Sequence, residues 1–240
     1  MEKPRRHIFF FVKILEKQSY VDDFLSGNLY LNPLGHFKRC EDGSADNRAD
    51  QHEGLSHWFQ PEKVHVEING IHLPSVDFAA PISIQMYKYN CINMLSLYAA
   101  HSGQMTDVST ESLPLLRKQL EIPSECLALG DHAVIVTSPS EFIARIKHAI
   151  QANGFGLYAN LVNYVNFDSH HGGAPDKEAP FLKSDNYQHQ REYRFAVDAG
   201  HVVESPLRLP VGDLRDITLA CRTSEINDLL SLRLPDGTAA

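Results

Sequence analysis

Gln190, Glu192 and Arg194, three polar residues at alternate positions in QREYRFAVD (190–198), form the most chemically loaded segment of this 240-residue chain. In a strand of period two they share one face, while Arg191, Tyr193, Phe195 and Val197 share the other. An amide, a carboxylate and a guanidinium in a row are costly to bury unless they line a cleft or pair with one another. The alternative is a solvated strand face on which Glu192 and Arg194 make a surface pair.

Other chemistries are poorly provided for. Histidine is frequent at 13, with His52, His57, His65 and His72 inside 21 residues and a His170-His171 pair. Yet there is no H-E-x-x-H, no H-x₃-H with paired cysteines and no H-x-E with C-x-x-C, so no metal site is expected, and the acidic stretch 41–53 lacks EF-hand spacing. His65 and His72 are expected to face solvent. Cys40, Cys91, Cys126 and Cys221 are far apart and form no C-x-x-C pair, which indicates neither a zinc ribbon nor a secreted disulfide framework. The absence of a G-x-S-x-G elbow, of G-x-G-x-x-G and of G-x₄-G-K-[ST] excludes a serine hydrolase of that type, a Rossmann dehydrogenase and a P-loop enzyme.

The elements that must hold the polar row follow from periodicity. HIFFFVKIL (7–15) reads as a central strand buried on both faces; its five-residue apolar run Ile8–Val12 is too short for a signal peptide or a membrane span. SYVDDFLS (19–26) reads as a short helix stopped by Gly27, and NLYLN (28–32) as a strand. Residues 39–54 have almost no apolar side chains and read as a surface loop. VHVEI, Asn69-Gly70 and IHL form a type I′ hairpin signature. Strands are expected at 81–89, 91–99, 132–138, 155–167 and 190–198, with short ones near 206–210 and 215–220. Helices are expected at 111–120, with Pro114 in the first turn, and near 224–231. A further helix should run from a Ser138–Glu141 capping box to about Ala152, and residues 168–180 read as a polar loop. No repeat or linker divides the chain, so a single α+β domain over 1–240 is expected.

Composition narrows the partners. The apolar fraction is 43% and the formal net charge is −8, which argues against disorder and against a generic phosphate-coating protein. The charge is uneven, however. Residues 1–40 contain seven Lys and Arg against four acids, whereas 41–54 contain five acids and one arginine. A basic N-terminal surface is therefore expected to approach phosphate, with the acidic stretch turned elsewhere or toward a basic partner. A reducing cytoplasm and no membrane are the expected setting.

Q-x-E on a strand late in the chain resembles the catalytic motif of mono-ADP-ribosyltransferases. The order strand, short helix ending in glycine, strand (HIFFFVK, YVDDFLSG, NLYLN) resembles the opening of that fold in DarT-type toxins and RNA 2′-phosphotransferases. FLSGNLYLNPLGHF, R-x-D-x-x-E-G at Arg48 to Gly54 and QREYRF together resemble bacterial toxin–antitoxin and phage-defence proteins with a transferase-like fold.

The resemblance implies two packed, mainly antiparallel sheets with a few peripheral helices, and NAD as substrate. Glu192 would stabilise the oxocarbenium charge on the ribose and hold its 2′-hydroxyl, and Gln190 would orient the acceptor. The first-strand contact to the adenosine ribose falls to His7 or Lys13. The turn at Gly27 would border the dinucleotide, and Tyr30, ahead of Tyr20 and Tyr98, would stack on nicotinamide. Arg48 would meet the pyrophosphate, unless it is solvated among Asp46, Asp50 and Glu53. The acceptor would be a nucleic acid, RNA favoured, or a protein, and an antitoxin protein would be a partner. Two other readings stand beside this one: a non-catalytic binding module of the same fold and, more distantly, a metal-dependent nuclease. If the transferase reading holds, Glu192, Tyr30 and one of His7 or Lys13 must converge on one cleft.

Overall fold

The computed structural model describes residues 6–39, 50–105 and 107–234. In chain order the elements are β1 (Ile8–Leu15), α1 (Gln18–Leu25), β2 (Asn28–Pro33), α2 (Leu34–Arg39), β3 (Leu55–Phe59), β4 (Val66–Ile68), β5 (Ile71–Leu73), β6 (Ile82–Gln85), α3 (Tyr87–Asn90) and β7 (Asn93–His101). There follow α4 (Leu113–Leu120), α5 (Ser124–Leu127), β8 (His132–Val136), α6 (Pro139–Ala152), β9 (Gly156–Leu161), β10 (Asn163–Val165), β11 (Gly172–Gly173) and β12 (Leu182–Ser184). The last are β13 (Glu192–Asp198), β14 (Leu207–Pro210), β15 (Thr218–Arg222) and α7 (Ile226–Leu229). The class is α+β with mainly antiparallel sheets. Four sheets form rather than two: one of eight strands, one of three (β11-β3-β6) and two pairs, of which only β10-β12 is parallel.

The large sheet runs β14-β2-β7-β1-β8-β15, with β13 on the other edge of β7 and β9 beyond β13. β1 is central because its two faces are both apolar. Phe11 joins Val21, Phe24, Phe142 and Ile146 on the side covered by α1 and α6, while Val12 joins Leu116, Leu120, Cys126 and Ile226 on the side covered by α4, α5 and α7. Burying one such side chain contributes about 1.5–3 kcal/mol, so the tri-aromatic run fixes the strand's place in the sheet.

Several local expectations change in the structure. The strand expected at 81–89 ends at Gln85 and turns into α3, and the single strand 155–167 breaks into β9 and β10 at Val162, whose N–H turns to the Glu192 carbonyl. Ser138 does cap α6, with Pro139 at the first helical position. No side-chain cap bond forms, though, and Glu141 accepts from Arg145 Nε at 2.9 Å instead of reaching back to the N-cap, so the expected capping box is absent. The Asn69-Gly70 hairpin forms as read, with both residues at positive φ, and the His65 and His72 rings stack at 4.3 Å on its exposed side.

Gly27 has a structural reason to be glycine. Its φ is +75°, it closes α1, and a Cβ placed on it would lie 1.8 Å from the Gly212 carbonyl oxygen. Gly27→Ala therefore meets both an unfavourable left-handed backbone and a backbone clash. We expect a loss of about 3 kcal/mol, read as a shift of the urea midpoint at unchanged slope.

Candidate functional site

The cleft exists because one edge of β7 is shared between two strands. On that edge β1 pairs with Tyr98–His101 and β2 pairs with Asn93–Met94, leaving Leu95–Leu97 between them without a strand partner. Lys13 leans into the gap and donates from Nζ to the Ser96 carbonyl at 3.0 Å. On the other edge β13 stays in register, so Val12, Tyr98 and Glu192 lie opposite one another on three successive strands and face the same way. The resulting cleft encloses about 190 Å³ and is lined by Lys13, Tyr30, Ser96, Tyr98, Lys183, Gln190, Glu192 and Arg194 among others.

Gln190 reaches this cleft by a different route from the one the alternation implies. Residues Asp185–Gln190 form 3₁₀ turns, and Arg191 is left-handed at φ 39°, ψ 47°, so the strand begins only at Glu192. Glu192 and Arg194 keep the shared face expected of them. They are not a solvated pair, however: both are buried, with 8% and 2% of their surface exposed.

Burial of these charges is matched by partners. Lys183 Nζ lies 2.7 Å from Glu192 Oε1, 2.8 Å from Gln190 Oε1 and 3.2 Å from Glu53 Oε1. Arg194 donates from Nε to Glu192 Oε2 at 2.9 Å, and its two terminal nitrogens grip Glu53 at 3.0 and 2.7 Å. The Pro180 carbonyl accepts from Arg194 as well, and the Glu192 amide donates to the Tyr164 hydroxyl at 2.9 Å. Two cations and two carboxylates thus form a neutral, fully bonded quartet, the condition under which burial of ions is tolerated.

The same contacts set the protonation states. Burial would raise the Glu192 pKa, but Arg194 and Lys183 outweigh it and hold the carboxyl well below the usual carboxylate range. Burial would likewise lower Lys183, yet Glu192 and Glu53 keep it above an ordinary lysine. Burial pushes Tyr98 up to about 12, so its hydroxyl is neutral, and it donates to the Glu121 carbonyl at 3.2 Å. Cys126, also in the lining, is pushed up to about 12 by burial and is a packed thiol rather than a nucleophile.

Of the sequence candidates, Lys13, Tyr30, Gln190 and Glu192 meet in the cleft. His7 does not: it precedes β1, its amide donates to the Ser102 hydroxyl while its carbonyl accepts from the Ser102 amide, and its ring rests edge-on against Phe9. Gly27 lies in the α1–β2 turn, and Arg48 is outside the described residues. Tyr30 is half exposed at the mouth, with the Arg208 guanidinium 5.5 Å from its ring centre.

No family model, no curated protein and no solved structure matches this chain. The cleft's own groups therefore decide what it can do. Among the described residues, no cluster of three or more His, Cys, Asp or Glu side chains is placed to hold a metal ion, and no helix is long and apolar enough to cross a membrane.

Two members of the quartet, Glu53 and Lys183, were not foreseen as site residues. Glu53 lies inside the R-x-D-x-x-E-G stretch, within the segment 39–54 that reads as a surface loop. Both it and Asp50 are buried, and Asp50 accepts from the Ser184 amide at 3.0 Å, so this end of the acidic stretch points inward rather than toward a basic partner.

Beside the quartet, His101 is buried with Nδ1 accepting from the Gly103 amide at 2.9 Å, which leaves the ring neutral with its proton on Nε2. Burial, reinforced by Arg6 and Arg191, pulls its pKa down to about 4. An unfolded histidine protonates near 6.5, so between about pH 6.5 and 4 the unfolded chain binds the extra proton. Stability should fall as pH drops through that window, and His101→Gln, which keeps an acceptor, should flatten the slope of the urea midpoint between pH 6.5 and 4.5.

Proposed function

We propose that the chain is an NAD-dependent ADP-ribosyltransferase whose reaction centre is the cleft at Glu192. The observation that carries this reading is the convergence of Glu192, Gln190, Tyr30 and Lys13, drawn from three strands and a turn, on one opening in the sheet. A space of about 190 Å³ is smaller than the ~300–1,000 Å³ of pockets that enclose a drug-sized ligand. It suits one sugar with its ring, with the rest of the dinucleotide lying along the mouth. There Tyr30 offers a face for stacking, and Arg208 beside it offers the planar, bidentate geometry that phosphate oxygens accept.

In such a transfer the nicotinamide–ribose bond breaks, nicotinamide leaves with the bonding pair, and positive charge develops on the sugar. Glu192 meets that charge as a carboxylate already ionised and already immobile, because Lys183 and Arg194 hold both its oxygens. Nothing has to reorganise as the charge appears, which is the condition for electrostatic stabilisation to be large. Gln190 is held by Lys183 through its amide oxygen, two residues from Glu192 and on the same cleft wall, where an acceptor group would approach.

A second reading, a binding cleft without turnover, is favoured by one observation: the Glu192 charge is matched by two cations in contact with it. Incubation with NAD labelled in its adenylate half, together with separate RNA, DNA and protein pools, decides between the two. The transferase reading expects label in one pool with wild type and almost none with Glu192→Gln. Saturable NAD binding with no label in any pool would leave the binding cleft.

A further inference from the structure

Among the described residues the large sheet ends at β14, at β15 and at β9, and the sequence treats these edges differently. Backbone groups alternate between the two sides of a strand, so one hydrogen bond on each strand tells which residues face outward. The Val211 amide donates to the Gly27 carbonyl, so the outer side of β14 belongs to Arg208 and Pro210, a charged residue and one with no N–H. The Thr223 amide donates to the Asp131 carbonyl, so β15 turns out Thr218, Ala220 and Arg222, and the Arg222 N–H is taken by Glu225 Oε2 at 2.9 Å. Charge and proline are two of the means by which an edge is closed to further pairing.

β9, with the sequence GLYANL, has neither. The Val162 amide donates to the Glu192 carbonyl at 2.8 Å, so the outward groups of β9 are those of Leu157, Ala159 and Leu161. Its one strand partner among the described residues is β13, and the Leu161 N–H is met by the neighbouring Asn160 Oδ1 at 2.8 Å, a side chain free to rotate away. The apolar side chains are open here as well. Leu157, Ala159 and Leu161 pack with Phe155 and Ile143 against the main core, and all five are only partly buried. The core layer under α6 therefore runs out to this edge and stops there uncovered.

We propose that β9 pairs antiparallel with β9 of a second copy of this chain, about a two-fold axis at Ala159, so that two large sheets join into one. The strand is its own complement. In this register Ala159 faces Ala159 of the second copy and Leu157 faces its Leu161, so each outward N–H meets a carbonyl and leucine packs on leucine. An unrelated strand could take the hydrogen bonds, but a leucine two residues to either side of Ala159 selects the chain's own edge. A two-fold contact of this kind closes at two copies, which leaves no free β9 to recruit a third. None of these residues lines the cleft at Glu192, so the pairing stands apart from the transferase reading.

Sedimentation velocity between about 1 and 200 µM should show a reversible dimer with a Kd of about 1–100 µM, as befits a small contact. Ala159→Pro removes one outward N–H and spares the bonds to β13, so it should weaken the dimer about tenfold or more. Crosslinking keeps the test decisive if proline disturbs the fold. Ala159→Cys sets two thiols on the axis with Cα atoms about 5.5 Å apart, within disulfide reach, whereas Tyr158→Cys sets them beyond about 7 Å. Air oxidation should therefore link Ala159→Cys on a non-reducing gel and leave Tyr158→Cys and wild type unlinked. A monomer at every concentration would overturn the proposal and leave the edge to a strand of another protein. A folded Ala159→Pro variant that dimerises like wild type, or Tyr158→Cys linking as readily as Ala159→Cys, would overturn it too.

Discussion

Arg194→Met should destabilise the protein by about 3–5 kcal/mol, the cost of leaving a buried ion without its partner. The substitution keeps bulk but removes the fork that holds Glu192 and Glu53 together, and it strips the Pro180 carbonyl of its donor. Two carboxylates would then face Lys183 alone in a site with only a few per cent exposure. The measurement is the urea midpoint at constant slope near pH 7. Combining Arg194→Met with Glu53→Gln should recover part of the loss, because the remaining Lys183–Glu192 pair is again neutral. A single-mutant loss below about 1 kcal/mol, the range of solvated pairs, would mean that water screens the quartet. So would double and single mutants that simply add, since residues in one network must couple.

The quartet also explains which parts of the molecule could be read from the chain. β1, α1, the Asn69-Gly70 hairpin, α6 and the strand at Glu192 are each specified by periodicity and stop signals within about fifteen residues, and they form nearly as expected. Lys183, Asp50 and Glu53 carry no local sign of burial. A lysine after a polar loop and acids in a stretch without apolar neighbours read as surface, because charged residues are almost never fully buried unless paired. Their partners arrive from far away: Arg194 meets Glu53 across 141 residues. The cleft is hidden for the same reason. The splitting of one β7 edge between β1 and β2 is a property of three strands from different parts of the chain, and no alternation pattern encodes it. Chemistry was legible where residue types sit close together, as in Gln190, Glu192 and Arg194, whereas seeing that His7 and Gly27 do not line the cleft required knowing where each strand begins and what each turn packs against.

Glu192→Gln should lower label transfer from NAD by about 10²–10³-fold, the range seen when one preorganised electrostatic contact to a reacting centre is removed. Glutamine keeps the shape of the side chain, but its amide has one accepting oxygen where Lys183 and Arg194 now use two, and it carries no charge for the sugar. Some stability is lost with the charge, so transfer is compared well below the unfolding midpoint of the variant. Tyr30→Ala provides the contrast that separates chemistry from folding. Tyr30 is 49% exposed and outside the core, so its removal should leave stability nearly intact while loosening NAD about tenfold through lost stacking. In kinetic terms Glu192→Gln should act on kcat and Tyr30→Ala on KM, because one group meets charge that develops only during the reaction and the other holds the ground state as well. Transfer within twofold of wild type in Glu192→Gln would remove the carboxylate from the reaction. If both variants shifted only NAD affinity, and wild type bound without transferring, the cleft would be a recognition site in which the buried quartet serves to shape a wall.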